Sequence, residues 1–154
     1  MAEKARVANA PSRADAVRYR GCPSAGSRVQ KGALMAVVGS MVIVGAGTMG
    51  SGIALTGAQA GISVLQIDVN PVQLEGAKAY HRKTLARAVE KGKLKQEEAD
   101  AALGRITHGD SLAAARGAEW AVEAVSEQAE LKKKIFRELA ATLPSNAVLA
   151  TNTS

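Results

Sequence analysis

The 154-residue sequence is poor in cysteine, in aromatic residues and in long apolar runs. Its single cysteine, Cys22, excludes an internal disulfide framework and fits a reducing compartment. One Trp, two Tyr and one Phe leave little surface for stacking bases, which argues against single-stranded nucleic acid as a partner. The longest apolar stretch, Ala33 to Val44, is broken by Gly39 and Ser40. It falls short of the roughly 18–20 residues of a membrane span. The first 34 residues lack a secretory apolar core, because Arg and Lys recur through them, so a secretory signal is not expected. No metal site is expected.

The formal net charge of +6 suggests an anionic partner until the charges are placed. Residues 1–34 hold Lys4, Arg6, Arg13, Arg18, Arg20, Arg28 and Lys31 against Glu3 and Asp15. Residues 35–154 hold 13 basic and 12 acidic groups and are nearly neutral. Residues 1–35 therefore read as a disordered basic leader, and 36–154 as one domain with 47% hydrophobic residues across the chain to build its core. Neither nucleic acid nor a membrane is expected as a partner. The leader, rich in Arg, Ala and Ser, loosely resembles a mitochondrial transit peptide. A disordered tail, or sequence upstream of a true start at Met35 or Met41, is the preferred reading. The expected location is cytoplasmic, with the mitochondrial matrix as the alternative.

From Met41 short β-like runs alternate with helical stretches, the sign of a parallel α/β sheet. Met41–Val44 is a buried-strand run, followed by a helix from Thr48 to Ala60 with Gly61 as its stop. Ser63–Asp68 reads as a second strand. Asn70-Pro71 signals a helix start, and the stripe Leu74, Ala77, Leu85, Val89 carries that helix to about Lys91. Gln96–Leu103 forms the other arm of a helical hairpin. Arg105–His108, Trp120–Val125 and Ala147–Thr151 are strand candidates, with a helix over Glu130–Leu143 before the last. Trp120 is read as core or edge packing, and His81 and His108 as exposed or capping residues.

Gly45-Ala46-Gly47-Thr48-Met49-Gly50 is a G-x-G-x-x-G motif between a strand and a helix, the context that gives it meaning. Gly45 permits the tight turn, Gly47 lets a pyrophosphate approach the backbone, and Gly50 lets the helix pack on the strand. Thr48 and Met49 open the helix, whose N-terminal N–H groups attract the anion. Asp68, 18 residues after Gly50, ends the second strand. There a carboxylate accepts hydrogen bonds from ribose hydroxyls and repels a 2′-phosphate, so NAD is preferred to NADP.

Val44 to Ala54 (VGAGTMGSGIA) resembles the opening of L-3-hydroxyacyl-CoA dehydrogenases, the group that includes 3-hydroxybutyryl-CoA dehydrogenases. Gly92-Lys93-Leu94 with Glu97-Glu98-Ala99, then Val122-Glu123-Ala124-Val125 with Glu127, then Ala150 to Ser154 continue the resemblance over about 41–154. It implies a Rossmann-type doubly wound parallel sheet with a helical hairpin insertion. It also implies NAD as cofactor and a reversible oxidation of a 3-hydroxyacyl-CoA to a 3-oxoacyl-CoA, in fatty-acid β-oxidation or butanoate metabolism.

The resemblance further assigns roles by position. Gly45, Gly47 and Gly50 match the pyrophosphate loop and Asp68 the ribose acid. Glu127 and Lys132 match positions near the nicotinamide half of the cofactor. Thr84 and Lys91 match positions that touch CoA. Ser154 matches a serine that contacts the substrate oxygen beside the cofactor. Read from its residues alone, Lys132-Lys133-Lys134 is a solvated charge run. Oxidising an alcohol needs a base. In the family that base is a histidine held by a glutamate, matching positions beyond Ser154, as does an all-helical domain through which the full-length protein forms a homodimer. The chain is therefore expected to be a fragment incomplete at its C-terminus, lacking that helical domain, able to bind NAD(H) weakly and inactive by itself. The alternative is a non-enzymatic NAD-binding module. A short-chain reductase is disfavoured, because Thr84 stands where a Tyr-x-x-x-Lys pair starting at Tyr80 needs lysine.

Overall fold

The computed structural model describes residues 38–153. The leader over 1–35, Cys22, Met35 and Ser154 lie outside the described residues.

Five parallel strands form one sheet in the order β3-β2-β1-β4-β5 among the described residues. They are β1 (Ser40–Val44), β2 (Ser63–Ile67), β3 (Ile106–Gly109), β4 (Trp120–Glu123) and β5 (Val148–Thr151). Every β1 residue is buried, as a strand covered on both faces must be. The strand order reverses at β1, whose neighbours are β2 on one side and β4 on the other. Val44 stands opposite Ile67 and Glu123, and Glu123 opposite Thr151, so four strand ends come level at the carboxyl edge.

Helix α1 (Thr48–Gln59) packs on one face with α2 (Pro71–Glu90) and α3 (Gln96–Gly104). Met41, Ile43, Leu55, Val64, Leu85 and Ile106 are among the buried residues of that layer. On the other face α4 (Ala129–Thr142) covers Val42, Val44, Leu65 and Ile67 with Ile135 and Leu139. This is the doubly wound architecture, and α2 with α3 is the expected hairpin. The Asn70 side chain accepts the Val72 N–H at 2.9 Å and Pro71 opens α2, so this N-terminus is fixed by its own sequence. Gly61 and Gly92, which follow α1 and α2, both have positive φ.

Two expectations need correction. His81 is not exposed: it lies 1% accessible in the stripe between Ala77 and Leu85, four residues from each. Its Nε2 is 3.1 Å from the Ser51 carbonyl of α1, which supplies the polar partner burial requires. His108, on β3, is half-buried, its ring 5.8 Å from that of His81. Burial holds both imidazoles below their usual range; His108 is pushed down to about 4, by desolvation first and the neighbouring His81 second. Of the two readings of Trp120, core or edge packing, core is excluded, since the residue is 37% exposed at the amino end of β4. The short 3-10 turn Leu112–Ala115, capped by the Ser111 hydroxyl, was not expected.

Candidate dinucleotide-binding site

The carboxyl edge of the sheet, where strand order reverses, is where open α/β folds place ligands. Gly45 leaves β1 with φ +116, and a Cβ there would collide with the Ala124 backbone. A Cβ on Gly50 would run into the Gly45 carbonyl. These two glycines therefore have structural causes: one makes the turn, the other lets α1 sit on the strand end. Gly47 differs, because a Cβ there meets nothing. It is the N-cap of α1, with no side-chain cap and no acid in the first turn. The backbone N–H groups of that turn are left for an anion. Thr48 and Met49 are exposed beside it.

Asp68 follows β2 and reaches back to this loop. Its Oδ2 accepts the Ala46 N–H at 2.8 Å, and its Oδ1 accepts the Asn70 N–H at 2.9 Å. The acid and the glycine loop are thus brought together across 22 residues. A pocket of about 320 Å³ opens between them and α4, lined by Val44, Gly45, Asp68, Val69, Val125 and Leu131 among others. Its size and apolar walls suit an adenosine. Open space at Gly47, an uncapped helix end and a carboxylate beside an apolar pocket fit a dinucleotide.

Across β1 the edge is built from side chains. Glu123, the last residue of β4, is 0% exposed. Its Oε1 accepts the Val125 N–H at 2.7 Å, and its Oε2 accepts the Thr151 hydroxyl at 2.6 Å. The Lys132 ammonium lies 3.3 Å from the same Oε2 and donates to Glu127 Oε1 at 3.0 Å. Lys132 is therefore not solvated helix surface; its side chain is 14% exposed. The Glu127 hydrogen bond first, with Glu123 behind it, pushes its pKa upward. The 58% exposed Glu127 side chain also accepts the Thr153 hydroxyl through Oε2 at 3.3 Å. Glu127 and Lys132, singled out by resemblance, meet here; Ser154 lies outside the described residues.

A family profile described as "3-hydroxyacyl-CoA dehydrogenase, NAD binding domain" matches residues 40–154. The chain belongs to that family. It carries the family's NAD-binding domain. A probable 3-hydroxybutyryl-CoA dehydrogenase of Bacillus subtilis is 40% identical over 114 residues, which are 74% of this chain and 40% of that one. The 3-hydroxyadipyl-CoA dehydrogenase of Escherichia coli is 36% identical over 121 residues, 79% of this chain and 26% of that one. The solved 3-hydroxybutyryl-CoA dehydrogenase of Ralstonia eutropha superposes with a TM-score of 0.73 at 32% identity, covering 76% of this chain and 41% of that one. The chain thus spans between about a quarter and about two fifths of these relatives.

The remaining residues assigned by resemblance to this dehydrogenase family lie on α2. Thr84 is half-buried in a groove between α1 and α2 that Thr48, Met49 and Tyr80 also line. Lys91 is exposed and caps the C-terminus of α2. It does not line that groove. Two site residues escaped the sequence. Glu123 stood inside the quoted Val-Glu-Ala-Val block without a role. Gln66, buried in β2, donates to the Gly45 carbonyl at 3.1 Å and to the Ser51 hydroxyl at 3.3 Å. The available signal for both was a polar side chain within an apolar parallel strand, where burial demands a partner.

Proposed function

We propose that this chain binds NAD and forms the cofactor half of an oxidoreductase that interconverts 3-hydroxyacyl-CoA and 3-oxoacyl-CoA. The observation that carries the reading is the carboxylate of Asp68 held against the glycine loop, 2.8 Å from the Ala46 N–H. Placed there, it receives the adenosine ribose while the uncapped α1 terminus behind Gly47 receives the pyrophosphate. The second half of the cofactor then crosses to the ends of β4 and β5, beside Glu127 and Lys132. Bound NAD would supply the hydride acceptor. Ser154 is assigned to the substrate oxygen, and Thr84 and Lys91 to the CoA side, where a cation at a helix C-terminus also suits a phosphate.

The hydroxyl proton still requires a base. His81 is sealed against Ser51, and His108 sits on β3, on the opposite side of β1 from the second cofactor half. Neither histidine serves as that base, so the 154 residues alone are expected to bind the cofactor without useful turnover. Fluorescence titration of the full chain with NADH and NADPH, followed by an assay on 3-hydroxybutyryl-CoA, tests both statements. Tighter binding of NADH without turnover supports them. Equal affinity for the two cofactors removes the role of Asp68, and robust turnover refutes the assignment of the base. Homodimerisation of the whole protein and a cytoplasmic location belong to the same proposal.

A further inference from the structure

Glu123 is the only buried carboxylate among the described residues. Its Oε1 takes the Val125 N–H and its Oε2 the Thr151 hydroxyl, but the strand ladder beside it is made by backbone alone. The Ala124 N–H bonds the Val44 carbonyl, and the Asn152 N–H bonds the Glu123 carbonyl at 2.7 Å. The sheet therefore does not need the carboxylate for its ladder. A buried charge is a costly way to fill such a position, and a well-packed apolar residue commonly serves stability as well or better. What the carboxylate does here is visible in the lysine run. Lys133 and Lys134 pair with Glu130 and Glu138 at exposed positions, with side chains 59% and 73% accessible. Lys132 instead turns inward, toward Glu123.

From Lys132 the arrangement continues outward to Glu127 and then Thr153. One buried charge thus orders the segment after β4 and the segment after β5 together. Those segments lie across β1 from Asp68. A dinucleotide whose ribose rests on Asp68 and whose pyrophosphate rests at Gly47 lays its other half over them.

We propose that Glu123 is a positioning residue for the nicotinamide ring of the cofactor, acting through Lys132 to fix Glu127 and the ends of β4 and β5. The inference rests on the NAD reading above. Its test compares NADH with ADP-ribose, which lacks only the nicotinamide, on the full chain and on Glu123→Gln, Lys132→Met and the double variant. Glu123→Gln raises the Kd for NADH about tenfold, the scale of a charge-assisted contact, and leaves that for ADP-ribose within about twofold. Lys132→Met gives the same pattern, and the double variant is no worse than Lys132→Met alone, because the two groups act in series. Equal weakening of both ligands overturns the proposal in favour of a purely structural role. So does an unchanged NADH Kd, or a full additional loss in the double variant. Failure of the unsubstituted chain to bind either ligand is a different result: it overturns the NAD reading itself, and the inference falls with it.

Discussion

The two halves of the crevice are made of different material. On the β2 side the chain offers backbone: a glycine turn, an uncapped helix end and one acid that braces the loop it stands beside. On the β4 side it offers side chains, with a buried carboxylate, an inward lysine and two threonine hydroxyls drawn from three separate segments. Backbone geometry is set by where the glycines fall and tolerates little else. A side-chain network is set by charge pairing and can be dismantled one group at a time. The first half resists change until it breaks, whereas the second can be tuned.

Substitutions at the glycines give the sharpest division. Gly50→Ala drives a methyl into the Gly45 carbonyl and separates α1 from β1. It is expected to cost about 3 kcal/mol in urea unfolding and to abolish binding in both halves. Gly47→Ala meets no protein atom and should change stability by less than about 1 kcal/mol. It should nevertheless weaken NADH and ADP-ribose alike, since both carry the pyrophosphate. A Gly47→Ala chain that binds normally would break the distinction between a glycine kept for folding and one kept for a ligand.

Asp68→Asn comes next in size. An amide can still accept the Ala46 N–H, so the fold survives, but the charged contacts to ribose are lost. NADH binding is expected to weaken about tenfold and the preference over NADPH to shrink, as read by parallel titrations. The loss should be shared by ADP-ribose, in contrast to the selective loss expected of Glu123→Gln.

A smaller effect involves neither half. His81 and His108 are held neutral by burial, so the folded chain binds fewer protons than the unfolded chain below the ordinary histidine range. Their contribution is intact above about pH 6.5 and is lost as pH falls toward about 4, where His108 charges in the folded state. His108→Gln should flatten the acid side of a stability profile measured by urea melts, leaving NADH affinity at pH 8 unchanged. The smallest effect is expected of Lys91→Ala, which should leave stability and NADH affinity alone and weaken only CoA, read by calorimetry.

The same division explains what could be read in advance. Strand, glycine loop, helix and acid follow one another within residues 40–68, and their order alone gives the geometry. Asn70-Pro71 and the positive-φ glycines at 61 and 92 marked helix limits for equally local reasons. Lys132, Lys133 and Lys134 are indistinguishable in sequence. Only the approach of β4 shows that the first of them meets a buried acid. His81 was misplaced because its partner, the Ser51 carbonyl, is 30 residues away, although its four-residue spacing from Ala77 and Leu85 already put it on the buried stripe. Glu123 draws on Thr151, 28 residues onward, a partner that no spacing rule identifies.

The strand order also bears on how the molecule assembles. The turn at Gly45 finds its partner Gln66 at a separation of 21 residues, whereas Ser40 meets Glu119 at 79. Joining β4 to β1 thus closes a much longer loop, and that entropy must be met before the new contacts compensate it. The β1-α1-β2 unit is therefore expected to gain hydrogen-exchange protection first during refolding, with the β4–β5 edge following. The glycine loop and Asp68 would then be in place before α4 and the opposite edge close the pocket, so the pyrophosphate and ribose contacts can form before the adenosine wall.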